Sequence, residues 1–442
     1  MKSTDLKLFL LLACFFFILQ PVRAADGDLD TTYGTSGLVR NIETGLGPAV
    51  DIAVQNDDKS VVLAPKDNDF AVLRYNTDGS LDTTFGVGGE AIVDFDSHSI
   101  VRIDVPYAIA IQPDGKILVA GSSELATSGR SRDFAVARLN TDGSLDTTFG
   151  TSGQVTTNFG NSADIAYDLV VQGNGKIVVV GSATVNTNLK FGVVRYNDDG
   201  SIDTTFGNGG TKTFGWGHGY NAAYGVDLQS DGKIVVVGIA RTGNQPQYDF
   251  AVARLRRNGK LDHTFGTAGR VATTFTSPPV NDSQATTVAV QADGKIVVGG
   301  GPYVPWGTYF LARYMSDGSL DPVFGVGGQV ATAVATYSTH PTTVAISNGQ
   351  IILGGHSTSS DACALVRSDT TLVRYLDDGS PDLSFGSAGV AKYNPYPADF
   401  NYCTSGMTAG GMALQSDGKI VVAGGDTLHG SYVGLILARF YN

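Results

Sequence analysis

Short runs of β-branched and small apolar residues alternate along this chain with clusters of Gly, Asp, Asn and Ser, and no window carries a helical period. Between Tyr107 and Phe149 the pattern predicts four strands: YAIAIQ from Tyr107, KILVAG from Lys116, FAVARL from Phe134 and SLDTTF from Ser144. The runs do not alternate cleanly between apolar and polar residues, as expected of strands covered on both faces. QPDG from Gln112 and NTDG from Asn140 suit bulged type I turns with Gly in the left-handed position. Strands one and two should therefore form one tight hairpin, and strands three and four another.

This unit is written seven times. The phrase DGSLDTTFGTSGQV at Asp142 returns with starts at Asp26, Asp78, Asp142, Asp199, Asn258, Asp317 and Asp378, spaced by 52, 64, 57, 59, 59 and 61 residues. The phrase QPDGKILVAG from Gln112 occurs once in every interval, and DFAVARLN from Asp133 precedes each new start. Seven four-stranded sheets with two covered faces predict an all-β fold, a seven-bladed β-propeller occupying residues 26–442 as a single domain. A parallel β-helix is the alternative solenoid, but its coils usually carry fewer residues and lack hairpin turns. Copies one and six depart most: NDDK at Asn56 lacks the turn Gly and ISNGQ from Ile346 is one residue short, so irregular hairpins are expected there.

The phrases DGSLDTTFG, DGKIVVVG and DFAVARL resemble the delta-60 repeat family of bacterial exported proteins, over essentially all of residues 26–442. The resemblance implies a propeller-type fold. It brings no established activity, cofactor or catalytic residue.

Closure of the ring is expected to join the two ends of the repeat array. LILARFYN, ending at Asn442, reads as a third strand lacking its successor, and DGDLDTTYG from Asp26 as a fourth strand lacking its predecessor. Docking them completes the last blade. Each blade should also carry an Arg–Asp pair, exemplified by Arg138 with Asp146 and Arg195 with Asp203, because the bulged turn sets these residues opposite each other.

The apolar run Leu8–Leu19, preceded by Lys2 and Lys7 and followed by Val22 and Ala24, reads as a signal peptide over residues 1–24. A lipoprotein cleavage at Cys14 fits less well, since the apolar run continues past it. The expectation is export to the periplasm or the extracellular space as a monomer with no membrane span. Without the leader, 27 basic residues face 41 acidic ones, a net charge of −14. Such a balance argues against nucleic acid or an anionic membrane as partner. Cys363 and Cys403 then remain in an oxidising compartment and are expected to form a disulfide.

The candidate chemistry lies on the loops. Both DG turns of a blade fall at one end of the ring, the bottom, and the longer, variable connections at the other, the top. His98, His218, His340, His356, His429, Trp216 and Trp306 are all placed in top loops, and ligand sites on repeat scaffolds usually sit where loops vary. Strand one is innermost, so Asp51, Tyr107, Asp168, Tyr224, Thr287, Thr343 and Gly411, taken as preceding it, rim the central funnel. Tyr107, Tyr167, Tyr224, Trp216 and His218 are the candidate ligand contacts, for a glycan or a partner protein. No metal, cofactor or catalytic residue is assigned: WGHGY from Trp216 offers one ligand, and the acids of the DG turns follow no EF-hand spacing. Two functions stay open, a non-catalytic binding or scaffolding module and an extracellular polysaccharide lyase or hydrolase. For the second, His98, Arg102 and Tyr107 could supply a top-face set.

Overall fold

The computed structural model describes residues 24–95, 102–125, 132–160, 162–217, 219–242, 247–275, 282–302, 307–360, 366–396 and 405–442. Its regular elements are strands in seven antiparallel four-stranded sheets, a seven-bladed β-propeller. The first strands of successive blades touch one another around a closed ring, which makes them the axial wall. Among the described residues no helix is long and apolar enough to cross a membrane.

Both faces of the middle strands are covered. In blade 1, Val61, Leu63, Phe70 and Val72 pack on blade 2, while Val62, Ala64, Ala71 and Leu73 pack on Val421, Ala423, Leu435 and Leu437 of blade 7. This explains runs without alternation: every side chain of the central strands meets a neighbouring sheet.

The outer strand is not SLDTTF. Blade 2 consists of Arg102–Ile111, Ile117–Leu125, Arg132–Leu139 and Gln154–Thr157, the last pairing Phe134 with Thr157. The Ser144–Phe149 stretch makes a single bridge, Leu139 to Leu145, then turns inward. That detour buries Phe149 completely, so the β-branched threonines that mimic a strand belong to a turn. Gly143 (φ 89°) sits against the preceding blade, where a Cβ would lie 2.7 Å from Gly86 N and 3.0 Å from Phe85. No other residue fits that contact.

The hairpins of copies one and six are regular after all. Asp58 takes the left-handed place of the missing Gly (φ 62°), with Gln55 N donating to Lys59 O. Asn348 and Gly349, both at positive φ, close a two-residue turn between Ser347 and Gln350.

Both ends of the array meet in blade 7. Leu38–Asn41 pairs with Ser431–Phe440, Leu38 facing Ala438, and Leu29 bridges Phe440. The pairing completes the blade and covers the outer edge of Ser431–Phe440.

One arginine per blade ties the bottom of the ring together. Arg74, Arg138, Arg195, Arg254, Arg313, Arg374 and Arg439 meet Asp82, Asp146, Asp203, Asp262, Asp321, Asp382 and Asp30 at 2.7–2.9 Å. Each guanidinium also lies 4.5–4.8 Å over the inward-turned ring of its own blade, such as Phe149 for Arg138 and Tyr33 for Arg439. Its remaining nitrogens reach the turn of the next blade, Arg138 donating to Asp198 O and Arg439 to Thr77 O. Burial pushes the Asp146 carboxyl up, but hydrogen bonds from Lys116 and Thr148 and the Arg138 charge outweigh it and hold it below the usual carboxylate range.

Candidate functional site

In six blades the first strand carries a bulge at one repeated position, where the register slips by a residue. Its occupants are Tyr107, Tyr167, Tyr224, Thr286, Thr342 and Gly410, and Val50 stands at the matching place in blade 1. The rim residues read from the sequence therefore mix two registers. Tyr107 and Tyr224 are bulge residues within the strand, whereas Asp51, Asp168, Thr287, Thr343 and Gly411 occupy the next position, shared by Ala108 and Gly225.

The bulges bring the three tyrosines together. Tyr107 meets Tyr167 edge-to-face at 4.9 Å, and Tyr167 meets Tyr224 at 5.0 Å. Tyr224 Oη lies 3.1 Å from Tyr220 Oη, and Tyr220 stands 6.1 Å from Tyr248. All five are half-buried. Burial pushes the Tyr107 phenol up, and the Tyr167 phenol more so, with Tyr220 and Tyr107 adding to the effect. Both stay protonated at neutral pH, hydrogen-bond donors with an apolar face. A tyrosine serving as a base would need the opposite shift. Blades 5 to 7 put Thr, Thr and Gly at the same position, so the axial wall is aromatic on one side and small on the other. The additional members Tyr220 and Tyr248 share no repeat phase with the bulge, and only the folded loops place them here.

Below this ladder, side chains latch one inner strand to the next at five of the seven blade junctions. Asp51 Oδ2 accepts from Ile109 N at 2.9 Å, Asp168 Oδ2 from Val226 N at 2.8 Å, and Asp227 Oδ2 from Val290 N at 2.7 Å. Thr287 and Thr343 hydroxyls accept from Val344 N and Met412 N. Burial pushes Asp51 up to about 7; burial and the neighbouring Asp51 and Asp227 charges push Asp168 up to about 8. Asp227, also raised by burial, is an axial acid that the repeat reading missed because it sits two positions further on.

These shifts predict a pH profile. Between the unfolded carboxyl value of about 3.9 and the folded values near 7 and 8, the native state holds protons that the unfolded chain has lost. The contribution of the axial acids is complete below about pH 4 and is lost as pH rises through 7 to 8. The bottom acids, held low, act oppositely and lose theirs on strong acidification. The thermal midpoint is therefore expected to fall between pH 5 and 8.5, and Asp168→Asn to flatten that limb. An equal slope in Asp168→Asn and the parent would contradict the assignment.

Other candidates fall elsewhere. Trp216 packs at 5.1 Å on Phe191 and at 6.2 Å on Phe214, with Arg270 5.9 Å over its ring. It fills the inter-blade place that Phe95, Phe159 and Phe275 take in other blades, each edge-on to Phe70, Phe134 or Phe250. Trp216, Arg270 and Thr242 line an outer groove of about 760 Å³ that runs down to the Asp317–Ser319 turn. Grooves lined by Thr151 with Asp199, and by Thr35 with Asp78, repeat that placement. The structure thus separates Trp216 from the tyrosine ladder. His340 and His356 lie in strands rather than loops. His98, His218, Trp306, Cys363, Cys403 and the Arg102 side chain fall outside the described residues, as do residues 1–23 of the segment read from the sequence as a signal peptide.

One carboxylate group among the described residues has metal-ligand spacing. Asp69, Asp94 and Asp104 bring oxygens within 4.8 Å of one another between blades 1 and 2. Asn158 and Asn394 hold the place of Asp94 in blades 2 and 6 and donate to Asp133 and Asp369. The turn acids have a different role: Asp142 Oδ1 accepts from Ser144 N at 2.9 Å and Ser144 Oγ at 2.7 Å.

The profile of a family described as a domain of unknown function (DUF5122) beta-propeller matches residues 66–85, 112–149, 172–206, 229–265, 291–324, 346–385 and 415–440. No curated protein matches the chain. Solved structures share the fold at low identity. A PL25 ulvan lyase bound to a GlcA(1-4)Rha3S chain is 12% identical with a TM-score of 0.50, over 91% of this chain and 95% of that one. A virginiamycin B lyase from Staphylococcus aureus with quinupristin is 13% identical, TM-score 0.49, covering 91% and 98%. The polysaccharide lyase Uly1 is 11% identical, TM-score 0.46, covering 92% and 91%.

Proposed function

The chain belongs to the DUF5122 β-propeller family, and we propose that this member is an exported, non-catalytic module that binds a glycan at the top of its axial wall. The observation that carries the reading is the ladder of Tyr107, Tyr167 and Tyr224, three half-buried rings in contact across three consecutive blades. Flat apolar faces with protonated hydroxyls at their edges suit sugar rings, which offer C–H faces and equatorial hydroxyls. The wall opposite carries the smaller Thr286, Thr342 and Gly410 in place of tyrosines. Export follows from the leader around Leu8–Leu19, and the same route oxidises Cys363 and Cys403. The resemblance of the repeat phrases to the delta-60 group of exported propellers supports the same reading.

Titration calorimetry with xylan, cello-oligosaccharides and alginate tests the reading. Tyr167 touches both neighbours, so Tyr167→Ala is expected to weaken binding more than Tyr107→Ala does, by about tenfold or more, while Tyr167→Phe retains most of it. Binding untouched by Tyr167→Ala would move the site off the axis, and turnover of a bound polymer would overturn the non-catalytic assignment.

A further inference from the structure

We propose that His340 and His356, on the first two strands of blade 6, form a two-imidazole site for a divalent transition-metal ion of the copper and zinc class. The two residues are direct cross-strand partners, one on Ser338–Ser347 and one on Gln350–Ser360. Their rings stack with centroids 4.8 Å apart and an interplanar angle of 28°. Directly opposed residues on one sheet face project side by side, so two imidazoles here can serve adjacent positions of one coordination sphere.

The repeat itself shows that packing does not require this pair. The matching cross-strand partners are Val105 with Ser122, Ile165 with Ser182, Ala222 with Ile239, Gln284 with Gly301 and Thr408 with Gly425. Five blades satisfy the position with apolar, hydroxyl or amide residues or with glycine, and blade 6 alone carries histidine on both strands.

The surroundings suit ligation. His356 Nδ1 faces Ala409 O of blade 7 at 3.4 Å, the backbone contact that commonly fixes a ligating imidazole and frees its other nitrogen. Two residues along the same face, Ser338 Oγ and Thr358 Oγ1 lie 2.6 Å apart and can hold a metal-bound water. His340 is exposed, which leaves an entry path and open positions for water or ligand. Burial first, and then the neighbouring His340, lower His356 to about 4, and desolvation of the ring face that His340 packs against its neighbours lowers His340 although its rim is open to solvent. Neither ring must lose a proton to bind metal at neutral pH.

The test uses the mature protein without a histidine tag, titrated with Cu2+ and Zn2+ near pH 7.5. Expected are one Cu2+ per chain with a paramagnetic resonance spectrum showing two nitrogen donors, and a rise in thermal midpoint with Zn2+. His340→Ala, an exposed change, should weaken binding by at least about tenfold and leave one nitrogen donor, and His356→Asn should abolish the site. Four other histidines remain as internal controls. Wild-type stoichiometry and spectrum in His340→Ala would overturn the proposal, as would binding that survives loss of both rings. Should His356→Asn not fold, the His340→Ala spectrum decides.

Discussion

Replacing Arg313 by methionine should destabilise the propeller by about 3–5 kcal/mol, the range for removing one partner of a buried ion pair. Arg313 is 1% exposed, meets Asp321 at 2.8 Å and Asp377 of the next blade at 2.8 Å, and lies 4.5 Å over Phe324. Methionine keeps the stem packing but leaves Asp321, 2% exposed, with Lys295 at 3.3 Å as its only nearby cation among the described residues. Arg313→Lys should recover part of the loss, because an ammonium restores the charge but not the fork that spans two blades. Denaturant unfolding measures both variants. A loss below about 1 kcal/mol for Arg313→Met would mean that the pair behaves as a surface ion pair.

Removing residues 24–41 should have a larger effect still and abolish cooperative folding. The segment supplies the outer strand of blade 7 and Asp30, which answers the buried Arg439 at 2.8 Å. It also supplies Tyr33, fully buried against blade 1 and lying under the Arg439 guanidinium. Without it the Ser431–Phe440 strand keeps an open outer edge, Arg439 an unpaired buried guanidinium and the blade an uncovered apolar face, three separate penalties. Rapid cleavage in limited proteolysis and loss of a sharp thermal transition are the expected readouts. A synthetic peptide of residues 24–42 should restore protection, whereas a peptide carrying Asp30→Ala should restore less. An unchanged thermal midpoint in the truncated protein would refute closure as a determinant of stability. The single substitution Asp30→Ala in the full chain then isolates the ion pair from the strand.

The sequence by itself determined the seven-fold count, the four-stranded unit, the turn positions and the joining of the two ends. These are local or periodic properties. A Gly, or Asp58 in its stead, adopts positive φ at the bottom turns of every blade, and apolar runs without alternation follow once both faces are covered. Arg138 and Asp146 were legible for the same reason, since a bulged turn brings residues eight apart to one rung.

What the pattern misread was the radial course of the outer strand. Ser144–Phe149 has strand-like composition, yet its work is to turn inward and drive Phe149 between two blades, a need that exists only once a neighbouring blade is present. Contacts between blades join residues about sixty apart, and only ring closure decides which side chains face each other across them. Thus tertiary structure alone set Tyr107, Tyr167 and Tyr224 in contact, split the supposed rim into two registers and enclosed Asp51 and Asp168 so that they hold protons near neutrality. It also moved Trp216 to an outer wedge and paired His340 with His356 on adjacent strands. Repetition encodes the blade; the geometry of seven blades closing on one axis assigns the neighbours, and the neighbours set the chemistry.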